Sequence, residues 1–85
     1  MKRTQAEIDA EIKAIRALKP VGKFAARTSG TLDVLVEFLQ GEIDTTAEEF
    51  LQMPYHRQMV IGDAELWLSG DSDSRPSKGW QGLAE

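Results

Sequence analysis

The chain has 85 residues, a net charge of −4 and no cysteine. That length makes one domain, and the missing cysteine excludes disulfides, thiolate metal sites and thiol nucleophiles. A chain of this size buries roughly 60% of its unfolded surface, so without covalent staples it must rely on helix packing or on a partner subunit.

Charge is unevenly placed. Residues 1–27 carry seven basic groups and three acids, whereas residues 28–85 carry three basic groups and eleven acids. Such asymmetry steers partners by its field. The densest apolar run, Leu32–Leu39, is too short to cross a bilayer. The opening MKRTQAEIDAE lacks an apolar signal core, so the expected compartment is the cytoplasm, with no membrane contact.

Residues 4–19 read as a helix. Thr4 and Glu7 make a capping-box pattern, and Ile8, Ile12 and Ile15 form one stripe that Leu18 extends. Arg16 and Lys19 suit the negative end of the helix dipole, and Pro20 stops the helix. Ala6, Ala10 and Ala17 gather on the opposite side. Residues 20–30 read as a connector punctuated by Pro20, Gly22 and Gly30, with Phe24 expected to pin it to the core. Gly22-Lys23 lacks both the first glycine and the Ser/Thr of a phosphate loop.

LDVLVEFL at 32–39 is the centre of the expected core. As a strand, one of its faces would mix Asp33 and Glu37 with Leu35 and Leu39. As a helix, Asp33, Glu37 and Gln40 fall in one narrow polar arc. Leu32, Leu35, Val36, Leu39 and Ile43 then form an apolar stripe, widened by Val34 and Phe38. The helix separates polar from apolar and is preferred. The width of its apolar arc predicts neighbours on more than one side, and Gly41 suits the position after its end.

Thr45 and Thr46, each followed three residues on by Glu48 or Glu49, signal a short helix that ends before Pro54. Residues 54–70 have two readings. One is a helix starting at Pro54 and stopping at Gly70, with Tyr55, Met59 and Leu66 on one side and Val60, Ala64 and Trp67 on the next. The other is a hairpin turning at Gly62-Asp63. Residues 71–85, DSDSRPSKGWQGLAE, have the composition of a flexible tail. Trp80 and Leu83 within it either fold back on the domain or anchor another protein.

The reading that results is an all-α fold. It is a small bundle of three to four helices over residues 1–70, followed by a flexible C-terminal tail at 71–85.

Catalytic and metal chemistry find little support. His56 is the only histidine, no serine sits in a nucleophile elbow, and a calcium loop starting at Asp71 would carry Pro76 at its glycine position. The expectation is no enzyme, no cofactor and no metal. A helix–turn–helix formed by 32–40 and 46–53 would push Glu48 and Glu49 at phosphate. The basic first helix (Lys2, Arg3, Lys13, Arg16, Lys19) keeps nucleic-acid binding as the alternative, though no aromatic interleaves with its charges.

A protein partner is favoured. It would meet an acidic band of Asp33, Glu37, Glu42, Asp44, Glu48 and Glu49, with Trp80 and Leu83 as a second contact. A homodimer through the isoleucine stripe of the first helix is a further option, although that stripe covers barely two heptads.

The opening EIDAEIKAIRALKP and the ending RPSKGWQGL, around a compact acidic helical middle, resemble small accessory proteins of bacteriophages and prophages. The resemblance implies a non-enzymatic protein that binds a host or phage protein, sometimes as its inhibitor, in the host cytoplasm.

Overall fold

The computed structural model describes residues 2–83, with side chains through residue 80. Among them run four α-helices and no strand: α1 (Gln5–Arg16), α2 (Ala25–Leu39), α3 (Glu48–Leu51) and α4 (Tyr55–Ser69), followed by a 3₁₀ turn, Lys78–Leu83. The fold is a small all-α bundle. The hairpin alternative for 54–70 is therefore wrong, and residues 55–69 form one helix with Gly62 inside it.

α1 begins as its sequence signals. The Thr4 hydroxyl accepts from the Glu7 N–H at 3.2 Å, and the Glu7 carboxylate accepts from the Thr4 N–H at 3.1 Å. Two N-terminal donors are thereby satisfied reciprocally. Ile12, Ile15 and Leu18 are buried and Ile8 packs beside them. That stripe fills the chain's own core, so it is not available for a homodimer. Ala6, Ala10 and Ala17 face solvent.

α2 packs against both α1 and α4. Leu32, Leu35, Val36 and Leu39 are buried, while Asp33, Glu37 and Gln40 are exposed. The helix starts at Ala25 and so takes in the last six residues, 25–30, of the stretch expected to be a connector. Tertiary bonds explain the extension. Buried Thr31 donates its hydroxyl to the Arg27 carbonyl at 3.1 Å and accepts from Arg57 Nε at 3.3 Å. His56 Nε2 lies 3.3 Å from the same oxygen. Gly30 in mid-helix leaves room for the Arg57 guanidinium, which would lie 2.6 Å from a Cβ there. Phe24, expected in the core, sits ahead of the first turn and is 60% exposed.

α2 and α4 both end on glycines in the left-handed region, Gly41 at φ +80 and Gly70 at φ +87. In each case two N–H groups turn back to the last carbonyls. Gly41 and Glu42 donate to Phe38 and Glu37, and Gly70 and Asp71 donate to Trp67 and Leu66. A residue with a Cβ is strained in that conformation.

α3 is a four-residue turn. Its cap is Ala47, with no side-chain hydrogen bond, contrary to the threonine caps expected. Thr46 is instead held by Asp44, whose Oδ1 accepts from its N–H at 2.9 Å and its hydroxyl at 2.6 Å. Short-range capture by an Asx turn outcompetes the helix cap here.

The stretch after Gly70 returns over α1. Glu11, 1% exposed, receives the Arg75 guanidinium and, at 3.0 Å, the Ser77 N–H. A carboxylate so buried is tolerated because a cation and a backbone donor meet it there. Trp80 then folds back, half-buried against the core cluster. Arg3 ties the start of the chain to the end of α4. It bonds the Trp67 carbonyl at 2.9 Å and the Ser72 carbonyl at 2.7 Å, and stacks 5.1 Å above the Trp67 ring. Its charge thus sits at the C-terminus of α4, where the helix dipole favours a cation.

Candidate protein-binding surface

All six acids of the expected band are exposed: Asp33 and Glu37 on α2, Glu42 and Asp44 in the loop, Glu48 and Glu49 on α3. None lies within ion-pair distance of a cation among the described residues. The ion pairs there are Arg3 with Glu7 and Asp73, and Arg75 with Glu11. The loop draws some of the acids together. Glu42, Asp44 and Glu49 rim a shallow pocket of about 190 Å³ whose walls include Ile43, Phe50 and Met53. This apolar floor was not singled out from the sequence. Its signal was there, since Ile43 lies four residues after Leu39 and Phe50 opens the apolar pattern of α3.

Two contacts shape the rim. Thr46 donates its hydroxyl and then its N–H to Asp44, holding that carboxyl below its usual range. The Gln40 amide, in the orientation that satisfies both its ends, donates to Glu42 Oε2 at 2.6 Å and accepts from Arg16 Nη2 at 2.9 Å. Glu48 is bound by Gln52 Nε2 at 3.0 Å on its own helix. Asp33 lines a different depression, beside Arg16 and Pro20. The structure thus brings Glu42, Asp44 and Glu49 to one pocket and leaves Asp33 at another.

Trp80 serves elsewhere. It lines a cleft of about 170 Å³ with Phe24, Arg27, Thr28, Thr31 and His56. Lys23 lies 5.7 Å over the exposed Phe24 ring. Leu83 closes the 3₁₀ turn, and its side chain falls outside the described residues. The basic first helix is partly consumed: Arg3 is built into the α4 clamp, whereas Lys2, Lys13, Arg16 and Lys19 remain exposed.

Glu11 went unnoticed in the sequence. It follows Ile8 by three residues and precedes Ile15 by four, so it lies on the apolar stripe. A carboxylate there needs a partner, and that spacing was the readable signal. Among the described residues no three acidic or histidine side chains converge as a metal site, and no helix is long and apolar enough to cross a membrane.

Comparison with known proteins gives no matching family model, no similar curated protein and no similar solved structure.

Proposed function

We propose that this chain is a non-catalytic protein-binding module whose acidic edge docks on a basic surface of its partner. The observation that carries the reading is the pocket rimmed by Glu42, Asp44 and Glu49 over Ile43, Phe50 and Met53. Unpaired carboxylates around an apolar floor match a cationic patch that projects an apolar side chain. The rim speeds encounter and selects the partner, while the floor holds it. The resemblance of the chain's ends to phage accessory proteins supports a partner in the host cytoplasm and a modulating or inhibitory effect.

The test is affinity capture from native host extract with wild type and a Glu42→Lys/Glu49→Lys variant, followed by titration of the captured partner at rising salt. The wild type retains a partner with a salt-sensitive association, and the variant loses it without losing helicity by circular dichroism. A partner retained equally by the variant would sink the acidic-edge reading.

A second reading, nucleic-acid binding, draws on Phe24. Exposed beside Lys23 and Arg27, it supplies an aromatic that the basic first helix lacks. A gel-shift series with single-stranded and duplex oligonucleotides separates the two, because tight binding that weakens steeply with salt belongs to this reading alone.

A further inference from the structure

The cleft beside the start of α2 brings aromatic rings together with cations that no acid neutralises. Phe24, 60% exposed just ahead of the helix, and Trp80 of the returning C-terminal segment both line it. Lys23 lies 5.7 Å over the Phe24 ring, so ring and cation are presented together. Arg27 lines the cleft and no carboxylate does. Among the described residues, Lys23, Arg27 and Arg57 make no ion pair. Asp33 and Asp63 line other depressions. In a chain of net charge −4, this cleft is a place where positive charge stands uncancelled.

Hydrogen bonding inside the chain fixes what the cleft offers a ligand. The Thr31 hydroxyl gives its one proton to the Arg27 carbonyl, 3.1 Å away. From its other neighbours it can therefore only accept. Arg57 Nε donates to it at 3.3 Å, and His56 Nε2, also at 3.3 Å, bonds it only by carrying a hydrogen. The neutral His56 ring then keeps Nδ1 as an acceptor, and Thr28 adds a hydroxyl to the same cleft. The volume suits one flat ring. It is about 170 Å³, close to the roughly 150 Å³ that accepts benzene and well below the roughly 300 Å³ or more of pockets for larger ligands.

A flat ring with a hydrogen-bonding edge and negative charge beside it describes a nucleotide. We propose that the cleft holds one unpaired base of a single-stranded nucleic acid, stacked on Phe24 and Trp80 with its polar edge at His56 and Thr28, while Lys23 and Arg27 take the flanking phosphates. The proposal rests on the nucleic-acid reading above and adds to it the site and the form of the strand. Aromatic stacking beside cations is how proteins hold single strands. A base inside a duplex has its faces in the stack and its edge in the pair, so it cannot enter. The cleft shares no residue with the pocket of Glu42, Asp44 and Glu49.

Fluorescence anisotropy of a labelled oligothymidylate, titrated with the full chain at low and moderate salt, tests it. The wild type binds the single strand, and annealing that strand to oligoadenylate weakens binding about tenfold or more, because the base is withdrawn from stacking. Phe24→Ala, at an exposed position, weakens binding roughly tenfold by removing a stacking ring, and Phe24→Trp restores it. Arg27→Gln weakens binding and makes the log–log salt slope shallower by about 0.7, one phosphate contact. Trp67 is 3% exposed, so quenching of tryptophan emission by the strand reports on Trp80. Trp80→Phe therefore still binds but loses the quenching. Circular dichroism checks that each variant keeps its helicity. If neither strand nor duplex binds at low salt, the cleft and the nucleic-acid reading fall together. If the strand binds but Phe24→Ala changes nothing, or the duplex binds as tightly, the cleft alone is overturned.

Discussion

α2 and α4 are each 15 residues long and pack against one another, yet they distribute apolar side chains differently. α2 keeps its polar residues in one arc and buries Leu32, Leu35, Val36 and Leu39 between α1 and α4. α4 buries Ile61, Ala64 and Trp67 and leaves Tyr55, Met59 and Leu66 in water. Burial, more than hydrophobicity, decides what a side chain contributes to stability. A helix with neighbours on two sides converts its whole apolar arc into core, and a helix with neighbours on one side converts half.

The strongest way to break this contrast is to truncate one leucine on each helix. Leu35, 0% exposed, is closely surrounded, so Leu35→Ala is expected to cost about 3–4 kcal/mol in urea unfolding, the lost transfer energy plus a cavity. Leu66→Ala, at a half-exposed position, is expected to change stability by no more than about 0.5 kcal/mol. Equal losses would mean that the exposed face of α4 contributes to the monomer after all.

The two helical glycines sharpen the contrast at a smaller scale. Gly62→Ala adds a methyl in open space on an exposed helix interior and is expected to stabilise the monomer by about 0.5–1 kcal/mol. Gly30→Ala carries the same intrinsic gain, but its Cβ would lie 2.6 Å from Arg57 Nη2. Arg57 must swing away and weaken its bond to Thr31, so the net change is expected to be smaller or reversed. Thermal unfolding of the two variants side by side reads the difference.

The smallest effect concerns acid. Asp44, in the loop after α2, is held below its ordinary value of 3.8 by the Thr46 hydroxyl and N–H. Glu7, in the first turn of α1, is held below 4.5 by the backbone N–H and then the hydroxyl of Thr4. A depressed folded-state value means the carboxylate stabilises the fold above its unfolded value, and that stabilisation is lost as pH falls through the folded value. Stability should therefore fall below about pH 4, with Asp44→Asn and Glu7→Gln flattening the decline. The entry to α4, capped by Pro54 without a side-chain bond, has no matching carboxylate. In amide-exchange profiles from pH 5 to pH 3, protection is expected to fall at Thr46 and Glu7 before it falls in the first turn of α4.

Much of this was legible in the chain. The capping box at Thr4 and Glu7, the glycines at 41 and 70 and the polar arc of Asp33, Glu37 and Gln40 are local features, and local hydrogen bonding and 3.6-residue periodicity are enough to place them. The exposure of Asp33 and Glu37 followed from the same periodicity. Other features depend on contacts between residues far apart in sequence. Thr28, Ser29 and Gly30 are poor helix formers, and His56 and Arg57 meet Thr31 beside them from more than twenty residues away. Phe24 is left outside because the helix begins immediately after it. Glu11 could be flagged as misplaced on its stripe, but its partners Arg75 and Ser77 lie more than sixty residues away.

The sequence by itself determined that this protein is a helical bundle with an acidic second half, because composition, periodicity and capping act within a few residues of one another. Tertiary structure alone decided which face of α4 enters the core and what becomes of the C-terminal stretch. Both faces of α4 carry apolar residues at helical spacing, so no pattern within it distinguishes core from surface. Only the approach of α2 to one side buries Ile61, Ala64 and Trp67 and leaves Met59, Gly62 and Leu66 exposed.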